Sequence, residues 1–364
     1  MSIKYENERV KRGYFRYLRQ ARGLSIATVD AAEKAIWVYE EFSKDESFGK
    51  FSRNRACDFK EWLSNRTNRG KPLSEVTTYH YLKHLKGFFL WLSTQPGYKT
   101  KIRLEDVEYL SLERSKVREA TSIHSVDFPN LEYVKQLVGS ITINSEIDLR
   151  DRALISFLLV SGMRDMAVAT LPLGCFDRRN LEVKQFSRKG VRTKLGKSFV
   201  SWLFRFDDHL IANVVEWSQF LEEKKLFSSE APLFPRSKVT QQINSLSFTA
   251  SEVEPVYWKG TGPIRSILKS RSMEAGLKYY HPHTFRHLAV HLATKECTTA
   301  EELKAISQNF GHEHVMTTMA NYGRLRDDQV AEIVGSLLLN PSLGHSSKRA
   351  TLKEIKKLLD GIDE

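Results

Sequence analysis

Four side chains in the last third of the sequence are of types that can act together on a phosphate: His283, Arg286, His312 and Tyr322. They stand in the runs His281-Pro282-His283-Thr284-Phe285-Arg286-His287, Asn309-Phe310-Gly311-His312 and Asn321-Tyr322, with Thr317-Thr318 between the last two. His283 and Arg286 are three apart, so at a helix start they share a face. Gly311 can end a helix just before His312. A guanidinium presents a fixed fork of donors that fits a phosphate. An imidazole moves a proton near neutral pH, and a phenol can serve as a covalent nucleophile. The set reads as phosphoryl chemistry. His281, His287, His291 and His314 add imidazoles, but their spacing lacks a His-Glu-x-x-His pattern.

These runs resemble the catalytic boxes of the tyrosine recombinase (phage integrase) family: a His-x-x-Arg box, a Gly-His step and a tyrosine about one helix later. Upstream, Gly162-Met163-Arg164 is similar to the family's first arginine box, and Lys189-Gly190 to its lysine turn. The resemblance implies a catalytic set of Arg164, Lys189, His283, Arg286, His312 and Tyr322. Tyr322 would attack a DNA phosphate, the two arginines would brace its oxygens, and Lys189 would protonate the departing 5′ oxygen. His283 would be general base or orienter, and His312 a hydrogen-bond donor. Lys194 and Lys197 remain alternatives to Lys189, because the turn is long. The chemistry implied needs no metal, ATP or other cofactor. Singly, each residue has a plainer reading: a solvated arginine at a helix end, a core histidine, a packing tyrosine. Their occurrence together and in order favours the family reading. The sequence departs from the family pattern twice. Tyr322 falls one residue later than usual after the Gly-His step, and Ala167 stands where an acid usually orients the first arginine.

Composition agrees with a nucleic-acid partner. The chain has 364 residues, enough for two or three domains. Its formal charge of +12 and pI near 9.4 point to a polyanion. The three cysteines, Cys57, Cys175 and Cys297, are odd in number and far apart, which argues against a disulfide framework and a cysteine zinc site. No apolar run reaches membrane length and no signal-peptide core opens the chain. A reducing, cytoplasmic location on the nucleoid is expected.

The elements that must position these residues follow from periodicity. Residues 1–25 form a basic extension, with seven Lys/Arg against two Glu, in which Tyr5, Val10, Tyr14 and Tyr17 allow a short helix. This helix could pack on a domain edge or reach DNA. Residues 26–118 read as a helical unit: one helix from Thr28, a second around Ala56, Phe59 and Leu63, and a third opened by Ser74 with Leu82, Leu85, Phe89 and Leu92 on one stripe. Residues 51–100 hold nine Lys/Arg against three acids. The unit is similar to the family's core-binding (SAM-like) DNA-binding domain, and Arg53, Arg55, Lys83 and Lys86 are its candidate phosphate contacts. Residues 119–129 lose periodicity and read as a linker.

Residues 130–340 would form the catalytic domain. Asn130 can cap one helix; another runs from Asp148 to Val160. Strands flank a basic turn between Leu181 and Phe204, where Arg188, Lys194 and Lys197 are further candidate DNA contacts. A helix spans 209–223, the polar segment Ser237–Pro255 reads as loop, and a helix covers Ile264–Ala275. Asp327–Leu339 has a helical apolar stripe, and residues 341–364 a terminal amphipathic helix that could pack on its own domain or on a neighbouring protomer.

The fold class expected is mainly α with a small antiparallel sheet in the catalytic domain (α+β). The resemblance implies a site-specific recombinase or integrase acting on double-stranded DNA through a 3′-phosphotyrosyl intermediate, for integration, excision or transposition of a mobile element. It would work as a dimer on one site and a tetramer in synapsis, with no membrane partner. Competing readings are a type IB topoisomerase-like relaxing enzyme and a DNA-binding regulator with a dormant site.

Overall fold

A computed structural model describes residues 3–68, 70–122, 126–241, 248–312, 314, 315 and 334. The chain forms two compact units, residues 1–122 and 123–364.

The first unit is helical. α1 (Ile3–Arg16) runs into a wider turn at Tyr17–Ala21 and is followed by α2 (Ile26–Ser43) and α3 (Arg53–Ser64). A minimal hairpin of β1 (Thr67–Asn68) and β2 (Lys71–Pro72) leads to α4 (Glu75–Leu92), α5 (Leu104–Val107) and α6 (Arg114–Thr121). Serines start the three main helices: Ser25, Ser52 and Ser74 each accept a backbone N–H three residues on, satisfying a donor the helix leaves unpaired. The aromatic stripe of α4 is core, with Phe88 and Phe89 fully buried. Tyr39 of α2 meets Phe59 and Phe89 edge-on, both at 5.2 Å. The basic N-terminal segment packs on this unit. Val10, Tyr14 and Leu18 are buried in this same core, and the Tyr14 ring lies 5.2 Å from Phe88.

The second unit is built around α8 (Glu146–Ser161), which follows α7 (Leu131–Gly139). Every residue of α8 from Ala153 to Ser161 is buried, all of them apolar but Ser156 and Ser161, so other elements must cover it all round. A short α9 (Asp165–Ala169) precedes a three-stranded antiparallel sheet, β3 (Phe176–Asp177), β4 (Glu182–Gln185) and β5 (Phe199–Trp202), in that order. β4 pairs β5 with Lys184 opposite Val200. α10 (Asp208–Glu223) packs on α8. The expected loop at Ser237–Pro255 is instead a hairpin of β6 (Arg236–Gln241) and β7 (Phe248–Glu254). Its polarity hid it: Arg236 faces Glu254 and Lys238 faces Glu252 across the ladder as surface ion pairs, while Val253 of β7 is buried in the core. α11 (Gly262–Glu274), α12 (Pro282–Lys295) and α13 (Ala300–Asn309) follow, α12 lying against α8.

The expected linker is structured at both its ends. Glu119–Thr121 belong to α6. Asp127 pairs with Lys278 at 2.5 Å, and Phe128 lies 5.5 Å from the His291 ring. Apart from Val334, the segments Asp327–Leu339 and 341–364 lie outside the described residues, as do Thr317, Thr318 and Tyr322.

Candidate active site

Arg286 is the centre of the site. It sits one turn into α12, whose start is fixed by His281 as cap and Pro282 in the first turn. The His281 Nδ1 accepts the His283 backbone N–H at 3.3 Å. Arg286 is buried. Its Nη1 donates to Gly162 O at 2.6 Å and its Nη2 to Phe310 O at 2.9 Å. These carbonyls end α8 and follow α13, so one guanidinium gathers the ends of two helices. Its plane lies over the Phe310 ring at 5.0 Å. Its Nη2 also stands 2.9 Å from His312 Nε2.

Two glycines make this convergence possible. Gly162 ends α8 with φ +55, and a Cβ there would come within 2.4 Å of the Phe310 ring. Gly311 has φ +68, and a Cβ there would come within 2.4 Å of the Phe199 ring. Both are left-handed positions where the missing side chain also makes room for an aromatic neighbour.

A cleft of about 120 Å³ opens beside this cluster, lined by Arg164, Thr193, Lys194, Leu195, Lys197, Phe199, Gly311 and His312. Burial first, and then neighbouring charges, depress the imidazoles around it. His312 is buried, and its pKa is pushed down to about 3, first by burial and then by Arg286, Arg164, Lys197 and Lys194. It is therefore neutral at pH 7. A neutral ring takes the Arg286 hydrogen bond as acceptor on Nε2, which puts its own proton on Nδ1. His283 is also held below its ordinary value, by lost hydration first and then by Arg286 and Arg164. His287 stands edge-on to His283 at 5.0 Å and is pushed down to about 4 by burial, His283 and Arg286.

The cleft brings together Arg164, Lys194, Lys197 and His312, with Arg286 bonded to His312 behind it. Arg164 is the cap of α9 and Ala167 is buried in the unit's core, while Asp165 pairs with Arg265 at 3.8 Å. Lys189 is placed elsewhere: it is exposed, 3.7 Å from Glu230, and lines no part of the cleft. Arg188 stacks over Phe186 at 5.2 Å. In the first unit Arg53 pairs with Asp106, Arg55 with Glu46 and Lys86 with Glu108, and Lys83 lies over Tyr79. Such surface pairs are worth about 0–1 kcal/mol, so a phosphate can displace them. Phe199, Leu195 and Phe310 are site residues that periodicity did not single out. Leu195 is held at φ +60, a conformation that costs a non-glycine residue roughly 1–2 kcal/mol.

Among the described residues there is no group of three or more side chains that could hold a metal ion, and no helix is long and apolar enough to cross a membrane.

The phage integrase family matches residues 131–329, and the phage integrase SAM-like domain matches residues 8–90. The tyrosine recombinase XerC of Escherichia coli O157:H7 is 22% identical over 312 residues, 84% of this chain and 88% of that protein. Among solved structures, residues 75–356 of lambda integrase, as a dimer bound to a COC′ core site, align with a TM-score of 0.59 at 12% identity, covering 88% of this chain and 97% of that one. The Tn1549 transposon integrase in complex with a circular intermediate DNA aligns with a TM-score of 0.56 at 14% identity, covering 90% and 99%.

Proposed function

The chain belongs to the phage integrase family, a class of DNA strand transferases, and from that premise we propose that it is a site-specific recombinase that cuts and rejoins DNA through a 3′-phosphotyrosyl intermediate. The observation that carries this reading is the cleft itself: Arg164, two lysines and a neutral His312 around one small space, with Arg286 bonded to His312. Such a space suits one phosphate and no large neutral ligand.

In this mechanism Tyr322, which falls within the residues matched to the family, attacks the phosphorus. The P–O bond to the 5′ oxygen breaks as the P–O bond to the phenol forms. Arg164 and Arg286 hold the non-bridging oxygens. Pre-organised donors of this kind contribute about 3–4 kcal/mol each to the barrier lowering. His283, neutral at pH 7, takes the phenolic proton or orients the phenol. A lysine of the β4–β5 turn protonates the leaving 5′ oxygen, and the cleft favours Lys194 or Lys197 over Lys189 in that role. The 5′-hydroxyl of a partner strand then reverses the step. The number of phosphodiester bonds is conserved, so no ATP enters.

The partner is double-stranded DNA, bound pairwise on a site and as two pairs in synapsis, in the movement of a mobile element. The lambda and Tn1549 relatives, held on a core site and a circular intermediate, support this. The test is incubation with duplexes carrying a nick near candidate exchange points, followed by denaturing electrophoresis. A protein–DNA adduct that survives denaturation and maps to Tyr322 supports the proposal. Its absence on every duplex, or its persistence in Tyr322→Phe, refutes it.

A further inference from the structure

Asn309 closes α13 three residues before His312, and its side chain is bound to backbone far away in sequence. Its Oδ1 accepts the Trp202 N–H at 2.7 Å and its Nδ2 donates to the Trp202 carbonyl at 3.0 Å. β5 is an edge strand, in the order β3, β4, β5. Leu203 turns its N–H inward to Leu181 O at 2.9 Å, so the backbone groups of Trp202 face outward, where Asn309 meets both. One carboxamide thus supplies the donor and acceptor that a further strand would have offered. A second contact lies on the same line, where the Phe199 ring fills the space left by the missing Cβ of Gly311.

The β4–β5 connection carries Lys194 and Lys197. It is closed on itself, with Thr193 Oγ1 donating to Lys197 O at 2.5 Å and Gly196 N–H to Thr193 O at 3.3 Å. At its start the connection is tied by the Arg192 N–H to Thr170 Oγ1 at 2.8 Å; at its end Lys197 leads within two residues into β5, so the place of that end over the cleft follows from where β5 lies. On the other side of the cleft, His312 follows Asn309 through Phe310 and Gly311. We propose that Asn309 is a positioning residue: by gripping the edge of β5 it sets the distance between the proton-donating lysine turn and the His312–Arg286 pair. This rests on the recombinase reading above. It assigns to Asn309 no contact with DNA.

The test uses the full chain, Asn309→Ala and the isosteric Asn309→Asp, which places a second acceptor against the Trp202 carbonyl. Hydrogen exchange followed by mass spectrometry reads the coupling without catalysis. Peptides covering 190–203 and 309–312 are expected to exchange at least tenfold faster in both variants, while α4 peptides of the first unit do not change. Catalysis is read as single-turnover adduct formation on a duplex that wild type captures from nicked random-sequence DNA. The duplex is made with an ordinary phosphate or with a 5′-bridging sulfur, which leaves without protonation. On phosphate, both variants should be slower by tenfold or more, Asp at least as slow as Ala. On the sulfur substrate the deficit should shrink below threefold. Unchanged exchange, equal deficits on the two substrates, or wild-type rates in Asn309→Asp would each overturn the assignment. Should wild type itself form no adduct on any duplex, the recombinase reading fails first, and the assignment to a proton-donating turn fails with it.

Discussion

Replacing Gly311 by alanine tests the geometry of the site most directly. Two costs can be separated. At φ +68 an alanine is in the left-handed region, which costs roughly 1–2 kcal/mol. The new Cβ would also lie 2.4, 2.7 and 3.0 Å from three atoms of the Phe199 ring. Ordinary contact requires the ring to retreat by about 1 Å, and overpacking of this size costs about 1–3 kcal/mol. Gly311→Ala should therefore destabilise the second unit by about 2–5 kcal/mol. In the double-mutant cycle with Phe199→Leu, the steric part should be recovered and the backbone part should not. Urea denaturation, with exchange protection around the buried Trp217 reporting the second unit, measures each corner of the cycle. A loss below about 1 kcal/mol would mean the left-handed turn is not enforced. A coupling energy near zero would mean Phe199 does not occupy the space Gly311 leaves.

Three further outcomes are expected. Arg286→Lys keeps the charge but cannot reach Gly162 O, Phe310 O and His312 together, so single-turnover cleavage should fall about 10²–10³-fold; a rate near wild type would remove Arg286 from the phosphate clamp. Tyr322→Phe deletes one oxygen and no charge, so adduct formation should vanish while DNA affinity, measured by equilibrium binding, holds within about threefold. The folded chain resists protonating His312 until about pH 3, whereas the unfolded chain binds that proton below its ordinary 6.5, so stability is lost as pH falls through this window. From pH 7 to 5 the loss from His312 comes to about 2 kcal/mol, and denaturation of His312→Gln should show a correspondingly flatter pH dependence.

Much of the site was legible because its parts are local. His283 and Arg286 need only three residues of helix to share a face, and Gly311 needs only its own backbone to turn. Ser74 and Asn130 announce helix starts because a short polar side chain and the N–H it accepts are three residues apart, whereas Ser25, which caps the helix expected from Thr28, was not singled out. The lysine turn was less legible. Which of Lys189, Lys194 and Lys197 reaches the cleft depends on where β4 ends and β5 begins, and Leu195 in a left-handed conformation leaves no trace in hydropathy. The β6–β7 hairpin was read as loop because its facing positions carry charge pairs rather than alternating apolar residues. The N-terminal helix was legible as a helix, but its burial depends on Phe88, more than seventy residues away. Asn309 could not be read at all, since a side chain that binds backbone has no partner residue type to look for.

The order in which the cleft's walls occur along the chain bears on synthesis. The first unit is made of residues 1–122, so it can fold while the rest is still being translated. The cleft cannot. Its lining runs from Arg164 to His312, and Arg286 finds its carbonyl partners in Gly162 and Phe310, on either side of it in sequence. Until Phe310, Gly311 and His312 leave the ribosome, Arg286 lacks one of those carbonyls and the cleft lacks a wall. Under the proposed function, a nascent or prematurely terminated chain gains affinity for DNA before it gains the means to break it. Interrupted translation then leaves a binder rather than a strand transferase.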